Sequence, residues 1–70
     1  MTWNIIRSSD LKGIGIVGKQ IARNPDAEEH YEVKSIDVNG YVTAIHNNEK
    51  VSVKVFPEER LIKENWWVRH

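Results

Sequence analysis

The stretch that decides the fold is YEVKSIDVNGYVTAI, Tyr31 to Ile45. It contains two runs rich in β-branched and aromatic residues, broken by Asn39-Gly40. Such residues fit a pleated, half-buried surface. Asn and Gly tolerate the positive φ that a two-residue hairpin turn demands. This reading sets Val38 opposite Tyr41, Ile36 opposite Thr43 and Lys34 opposite Ile45.

The register of the next turn follows from polarity. A two-residue loop at Asn47-Asn48 would drive Val51, Val53 and Val55 onto the face opposite Tyr41 and Ile45. A three-residue loop, Asn47-Asn48-Glu49, sets Ile45 opposite Val51, Thr43 opposite Val53 and Tyr41 opposite Val55. The large apolar groups then share a face with Val38 and Ile36, while Lys50, Ser52 and Lys54 face water. One slipped residue would flip the whole set. The expectation is a three-stranded meander over residues 31–56 with Tyr41, Ile45 and the valines turned to the core.

Upstream, WNIIR (Trp3 to Arg7) reads as a first strand and Ser8-Ser9-Asp10 as a turn. A second strand is expected through about Ala22, with Ile14, Ile16 and Gly18 on one face. Asn24-Pro25-Asp26 ends it, because the residue before proline avoids the helical region. Downstream, Phe56-Pro57-Glu58-Glu59-Arg60 leads into one helical turn near residues 57–63, with acids at its start. Asn65-Trp66-Trp67-Val68-Arg69 supplies a short final strand or a packed tail. The sum is one all-β domain over residues 1–70, a five- to six-stranded barrel. Its strand pattern resembles SH3-like barrels, with an OB-like barrel as the alternative.

Composition agrees. Eight Val and eight Ile stand against two Leu and three Ala, and branching at Cβ favours strands. There is no Cys, so neither a disulfide nor a thiolate-metal site can brace the fold. Apolar runs reach at most three residues, too short for a membrane-spanning helix or the core of an export signal. A cytoplasmic setting with no membrane partner is the resulting expectation.

The stretch KGIGIVGKQI, Lys12 to Ile21, spells G-x-G-x-x-G and most of G-x-x-x-x-G-K. A dinucleotide fingerprint needs a strand, a glycine turn and a helix within one βαβ unit. Here Pro25 stops any helix early, and no second parallel strand can be built. The phosphate-loop reading fails at Gln20, where a hydroxyl should hold magnesium. The glycines instead suit a bulge or a sharp bend at a barrel corner. No cofactor is expected.

Catalytic and metal readings are equally thin. The serines lack motif context, and His30, His46 and His70 are expected to be exposed. Asp26, Glu28, Glu29 and His30 lack the calcium-loop spacing, and zinc would need further ligands such as His46. Glu58 and Glu59 are adjacent and diverge on a helix, so they cannot share a proton. No catalytic or metal residue is assigned, and the chain is expected to be no enzyme.

Binding is the remaining class. The ten cationic and ten acidic residues balance. Residues 1–23 nevertheless carry Arg7, Lys12, Lys19 and Arg23 against Asp10, and residues 24–32 carry Asp26, Glu28, Glu29 and Glu32. Trp66 and Trp67 project to opposite faces if extended. One can fill the core while the other anchors an interface. The leading expectation is a protein-interaction module, whether adaptor, inhibitor or accessory subunit, with homodimerisation as one form. Its expected contacts are Trp66, Trp67, Arg69, Tyr31 and Arg23. The alternative is a small nucleic-acid-binding regulator using Arg7, Lys12, Lys19, Arg23 and Lys54 on phosphates, with Trp for stacking.

Overall fold

The computed structural model describes residues 2–12, 15–47 and 53–70. Six antiparallel strands form one curled sheet, a half-barrel: β1 (Trp3–Ile5), β2 (Gln20–Ala22), β3 (Tyr31–Ile36), β4 (Tyr41–His46), β5 (Val53–Pro57) and β6 (Trp67–Arg69). A 3-10 turn spans Ser8–Leu11, and one short helix, α1 (Glu58–Lys63), follows β5 where the sequence places its helical turn. The strand order is β1-β6-β2-β3-β4-β5. The chain thus runs a meander from β2 to β5, and β6 then inserts between β1 and β2. Among the described residues no helix is long and apolar enough to cross a membrane.

The hairpin between β3 and β4 departs from the expected two-residue turn. Asp37 takes over its geometry: its Oδ1 accepts the N–H groups of Asn39 (2.9 Å) and Tyr41 (3.0 Å). Gly40 N–H donates to Asp37 C=O, and Asp37 N–H to Tyr41 C=O. Gly40 is at φ +84, and Asn39 is not in the left-handed region. This is a three-residue loop, Val38-Asn39-Gly40, closed by a left-handed glycine. It pairs Ile36 with Val42 and Ser35 with Thr43, one residue off the expected register.

That single step exchanges the two faces. Val42 and Ala44 are buried, whereas Tyr41 is exposed and Val38 stands fully in solvent at the hairpin tip. A bulge between Val33 and Ser35 then adds one residue to β3. It lets Val33, opposite Ala44, and Ile36, opposite Val42, reach the same inner face despite their odd spacing. On the other side β4 pairs Val42 with Phe56, Thr43 with Val55 and Ile45 with Val53, two residues off the expected Thr43–Val53 and Tyr41–Val55 pairs. Val53 and Val55 do share a face with Tyr41 and Ile45, but it is the outer one, and Phe56 supplies the core. Asn48, Glu49, Lys50, Val51 and Ser52, which the second loop reading involves, lie outside the described residues.

The expected second strand is also shortened. Among the described residues, 15–18 form a turn and only Gln20–Ala22 pair as a strand, while Ile14 lies outside them. A Cβ at Gly15 would sit 2.4 Å from the Asp10 carbonyl oxygen, so the backbone packs where a side chain cannot. Gly18 takes φ +85 and donates its N–H to Val33 C=O at 2.9 Å. The glycines bend the chain into β2, and the Gly18 amide is spent on β3.

The core joins Ile6, Ile16, Ile21, Val33, Val42, Phe56, Leu61, Trp66 and Val68 with Ala44. It draws on β2 to β6, on α1 and on Ile6 just past β1, and so fixes the loop and the helix that flank the site below.

Candidate functional site

The two C-terminal tryptophans separate as an extended chain requires. Trp66 is 3% exposed and faces the core, and Trp67 lies half-buried on β6. Trp66 meets Phe56 at 5.0 Å and Tyr31 at 5.8 Å between ring centroids. Tyr31 meets Phe56 edge-on at 5.5 Å and 82°, the T-shaped geometry that a ring quadrupole favours. Tyr31 also packs edge-on against His46.

This aromatic trio floors a concavity of about 300 Å³ whose walls include Arg23, Glu29 and Arg60. Arg60 reaches it from α1, with its guanidinium carbon 5.6 Å from the centre of the Phe56 ring. Its Nε donates to Glu64 Oε1 at 3.1 Å, one helical turn on. Trp66 Nε1 donates to the same oxygen at 2.9 Å. Arg23 approaches the other oxygen, Oε2, at 4.0 Å. The Trp66 indole N–H, foremost, holds the Glu64 carboxyl below its usual range; partial burial opposes this, while Arg60 and Arg23 add to it. Glu64 therefore ties the floor to both arginines of the rim. Arg23 keeps 67% of its side chain exposed and Arg60 49%, so both guanidinium groups can reach a ligand.

The opposite wall is the acidic segment between β2 and β3. Its first turn forms as Asn24-Pro25-Asp26 requires: Asn24 Oδ1 accepts Asp26 N–H at 3.0 Å. Asn47, just past β4, pins the segment's far end. Its Oδ1 accepts His30 N–H (3.2 Å), its Nδ2 donates to Glu28 C=O (3.1 Å), and its own N–H donates to His30 C=O (2.8 Å). His30 is half-buried rather than exposed, because its ring packs edge-on against Trp3 at 5.0 Å and its Nε2 lies 3.2 Å from Pro25 O. His46 is half-buried as well, through Tyr31.

Of the contacts expected from sequence, Arg23, Tyr31 and Trp66 meet in this concavity. Trp67 and Arg69 do not join them. Both alternate with buried Val68 on β6 and so take its outer face, where Arg69 Nη1 contacts Gln20 Oε1 at 3.4 Å. Phe56, Arg60, Glu29 and Glu64 are additions. The Arg60–Glu64 pair was findable, since a helix over residues 57–63 predicts it at four-residue spacing. Phe56 was hidden by the register.

The candidate phosphate contacts are spread over several elements. Lys12 borders a hollow with Leu11, Glu58 and Glu59, and Lys19 borders another with Arg69 and His70. Arg23 belongs to the aromatic concavity, Arg7 precedes the 3-10 turn, and Lys54 sits on β5. Among the described residues no group of three or more His, Cys, Asp or Glu is placed to hold a metal ion. No family model, curated protein or solved structure matches the chain.

Proposed function

We propose that this protein is a non-enzymatic protein-interaction module that takes a peptide segment into the Arg23–Tyr31–Phe56–Arg60–Trp66 concavity. The observation that carries this reading is the Glu64 junction, which holds an aromatic floor and two solvent-reaching arginines in one orientation. Tyr, Trp and Arg are the side chains that dominate protein interfaces when pre-ordered around a pocket. Counting Glu64, which pairs with both arginines, the formal charges of Arg23, Arg60 and Glu29 around the recess cancel. A neutral, aromatic-floored recess suits an apolar side chain flanked by hydrogen-bonding main chain better than a polyanion. The dispersal of Arg7, Lys12, Lys19, Arg23 and Lys54 makes nucleic acid the weaker reading.

The test is selection of displayed random peptides on the immobilised protein, followed by binding of the enriched peptides to wild type and Arg60→Ala. Support would be a shared apolar or aromatic motif that loses roughly tenfold or more in affinity in Arg60→Ala and changes little with salt. No enrichment, or binding indifferent to Arg60, would reject the reading. Tight binding of single-stranded oligonucleotides that collapses as salt rises would replace it with the nucleic-acid alternative.

A further inference from the structure

The outer face of β4 and β5 carries an uncharged strip remote in character from the concavity. Its cross-strand pairs are Tyr41 with Pro57, Thr43 with Val55 and Ile45 with Val53. Tyr41 is 46% exposed, Val53 56% and Val55 57%. β5 is also an edge strand. The phase of its hydrogen bonding follows from Glu58 N–H, which donates to Gly40 C=O at 2.8 Å in the same register. Phe56 and Lys54 therefore exchange main-chain bonds with Val42 and Ala44. Val53, Val55 and Pro57 turn their main-chain groups to the open edge, and among the described residues no strand pairs with them there.

We propose that this edge is closed by a second copy of the chain, β5 pairing antiparallel with the partner's β5 about a twofold axis at Val55. Charge selects the register. An axis at Lys54 would set that lysine against its own copy, and like charges directly opposite are unfavourable. An axis at Val55 sets Val55 against itself, Lys54 against the partner's Phe56 and Val53 against the partner's Pro57. The two Val55 residues exchange a pair of main-chain bonds, and each Val53 N–H reaches the partner's Pro57 C=O. Proline's missing N–H costs only the outermost bonds. An isologous contact confronts each surface with itself. A strip without charges meets that condition, and here the outer strips of both copies join in one continuous sheet.

The inference rests on the outer face and the open edge rather than on the peptide concavity, of whose floor Phe56 alone would lie opposite the partner's Lys54. It is tested by sedimentation equilibrium from micromolar to millimolar protein, with single-cysteine variants oxidised in parallel. The chain has no native cysteine to interfere. Hydrogen-bonded antiparallel partners have Cα atoms about 5.5 Å apart, within disulfide range. Val55→Cys is therefore expected to cross-link as a dimer, and Lys54→Cys, which faces Phe56 instead, to cross-link poorly. Val55→Lys is expected to raise the dimer dissociation constant roughly tenfold or more, with unchanged circular dichroism. A chain monomeric at millimolar concentration overturns the proposal, and so does a dimer indifferent to Val55→Lys. Preferential cross-linking at Lys54→Cys overturns the register.

Discussion

Trp66 and Glu64, two residues apart at the end of α1, are joined by an indole N–H bond of 2.9 Å to a carboxylate that also receives Arg60. A buried indole would otherwise leave its donor unsatisfied. The acid that satisfies it also orders the rim of the concavity, so one carboxylate joins floor and rim.

The first prediction concerns pH. The folded-state pKa of Glu64 lies below its ordinary 4.5, with the Trp66 N–H as the leading cause. Its contribution to stability is thus fully present above about pH 4.5 and is lost as pH falls through the folded value. Glu64→Gln keeps an acceptor oxygen but removes the charge. Denaturant titrations at steps from pH 7 to pH 3 are expected to show a smaller loss of stability over the acid window for Glu64→Gln than for wild type, and a lower stability at neutral pH. Parallel curves would show that the carboxylate is not engaged as described.

The second prediction separates the tryptophans. Trp66→Ala empties a fully packed site and is expected to cost about 3–5 kcal/mol, enough to unfold many small domains. Trp67→Ala removes a half-buried ring, and about 1–2 kcal/mol is expected from the area involved. Thermal melts of the two variants measure the difference. Equal losses would contradict the assignment of Trp66 alone to the core.

The third concerns the turn that sets the register. Asp37→Ala deprives the Asn39 and Tyr41 amides of their acceptor, at an expected cost of about 1–2 kcal/mol given the exposure of the site. Asp37→Asn should restore part of it. Gly40→Ala forces a Cβ into a left-handed conformation, again about 1–2 kcal/mol. The two changes act on one turn and should not add; equilibrium unfolding of the double variant checks this.

The fourth concerns Asn47. Asn47→Ala cuts both side-chain bonds that pin residues 28–30. Amide exchange at His30 is expected to quicken while Val42 and Val68 in the core keep their protection. Peptide affinity at the concavity should fall with it, as a wall loses its order.

The all-β class, the strand count and the helical turn after Phe56 could be read from β-branching, Gly and Pro. The faces could not. Asn39-Gly40 carries the signature of a two-residue turn, but Asp37 supplies a carboxylate that accepts two amides, and the loop grows by one residue. The bulge at β3 then repairs the parity for Val33 and Ile36. The first is a side-chain choice that the Asn-Gly signature does not reveal, and the second is set by pairing with β4. The site was half legible: Tyr31, Trp66 and Arg23 were named from residue type, whereas Phe56 depended on the register and Glu29 on a loop held from Asn47.

The insertion of β6 between β1 and β2 has a consequence for synthesis. Among the described residues β1 pairs only with β6, and Ile6 N–H and Thr2 N–H bond to Trp66 and His70 carbonyls. On the ribosome β1 must therefore wait for this partner until some sixty more residues have emerged. The meander β2 to β5 can zip up during that interval. Completion of the sheet then waits for β6, and a nascent chain stalled before Trp67 would present an open flank at β2 to chaperones.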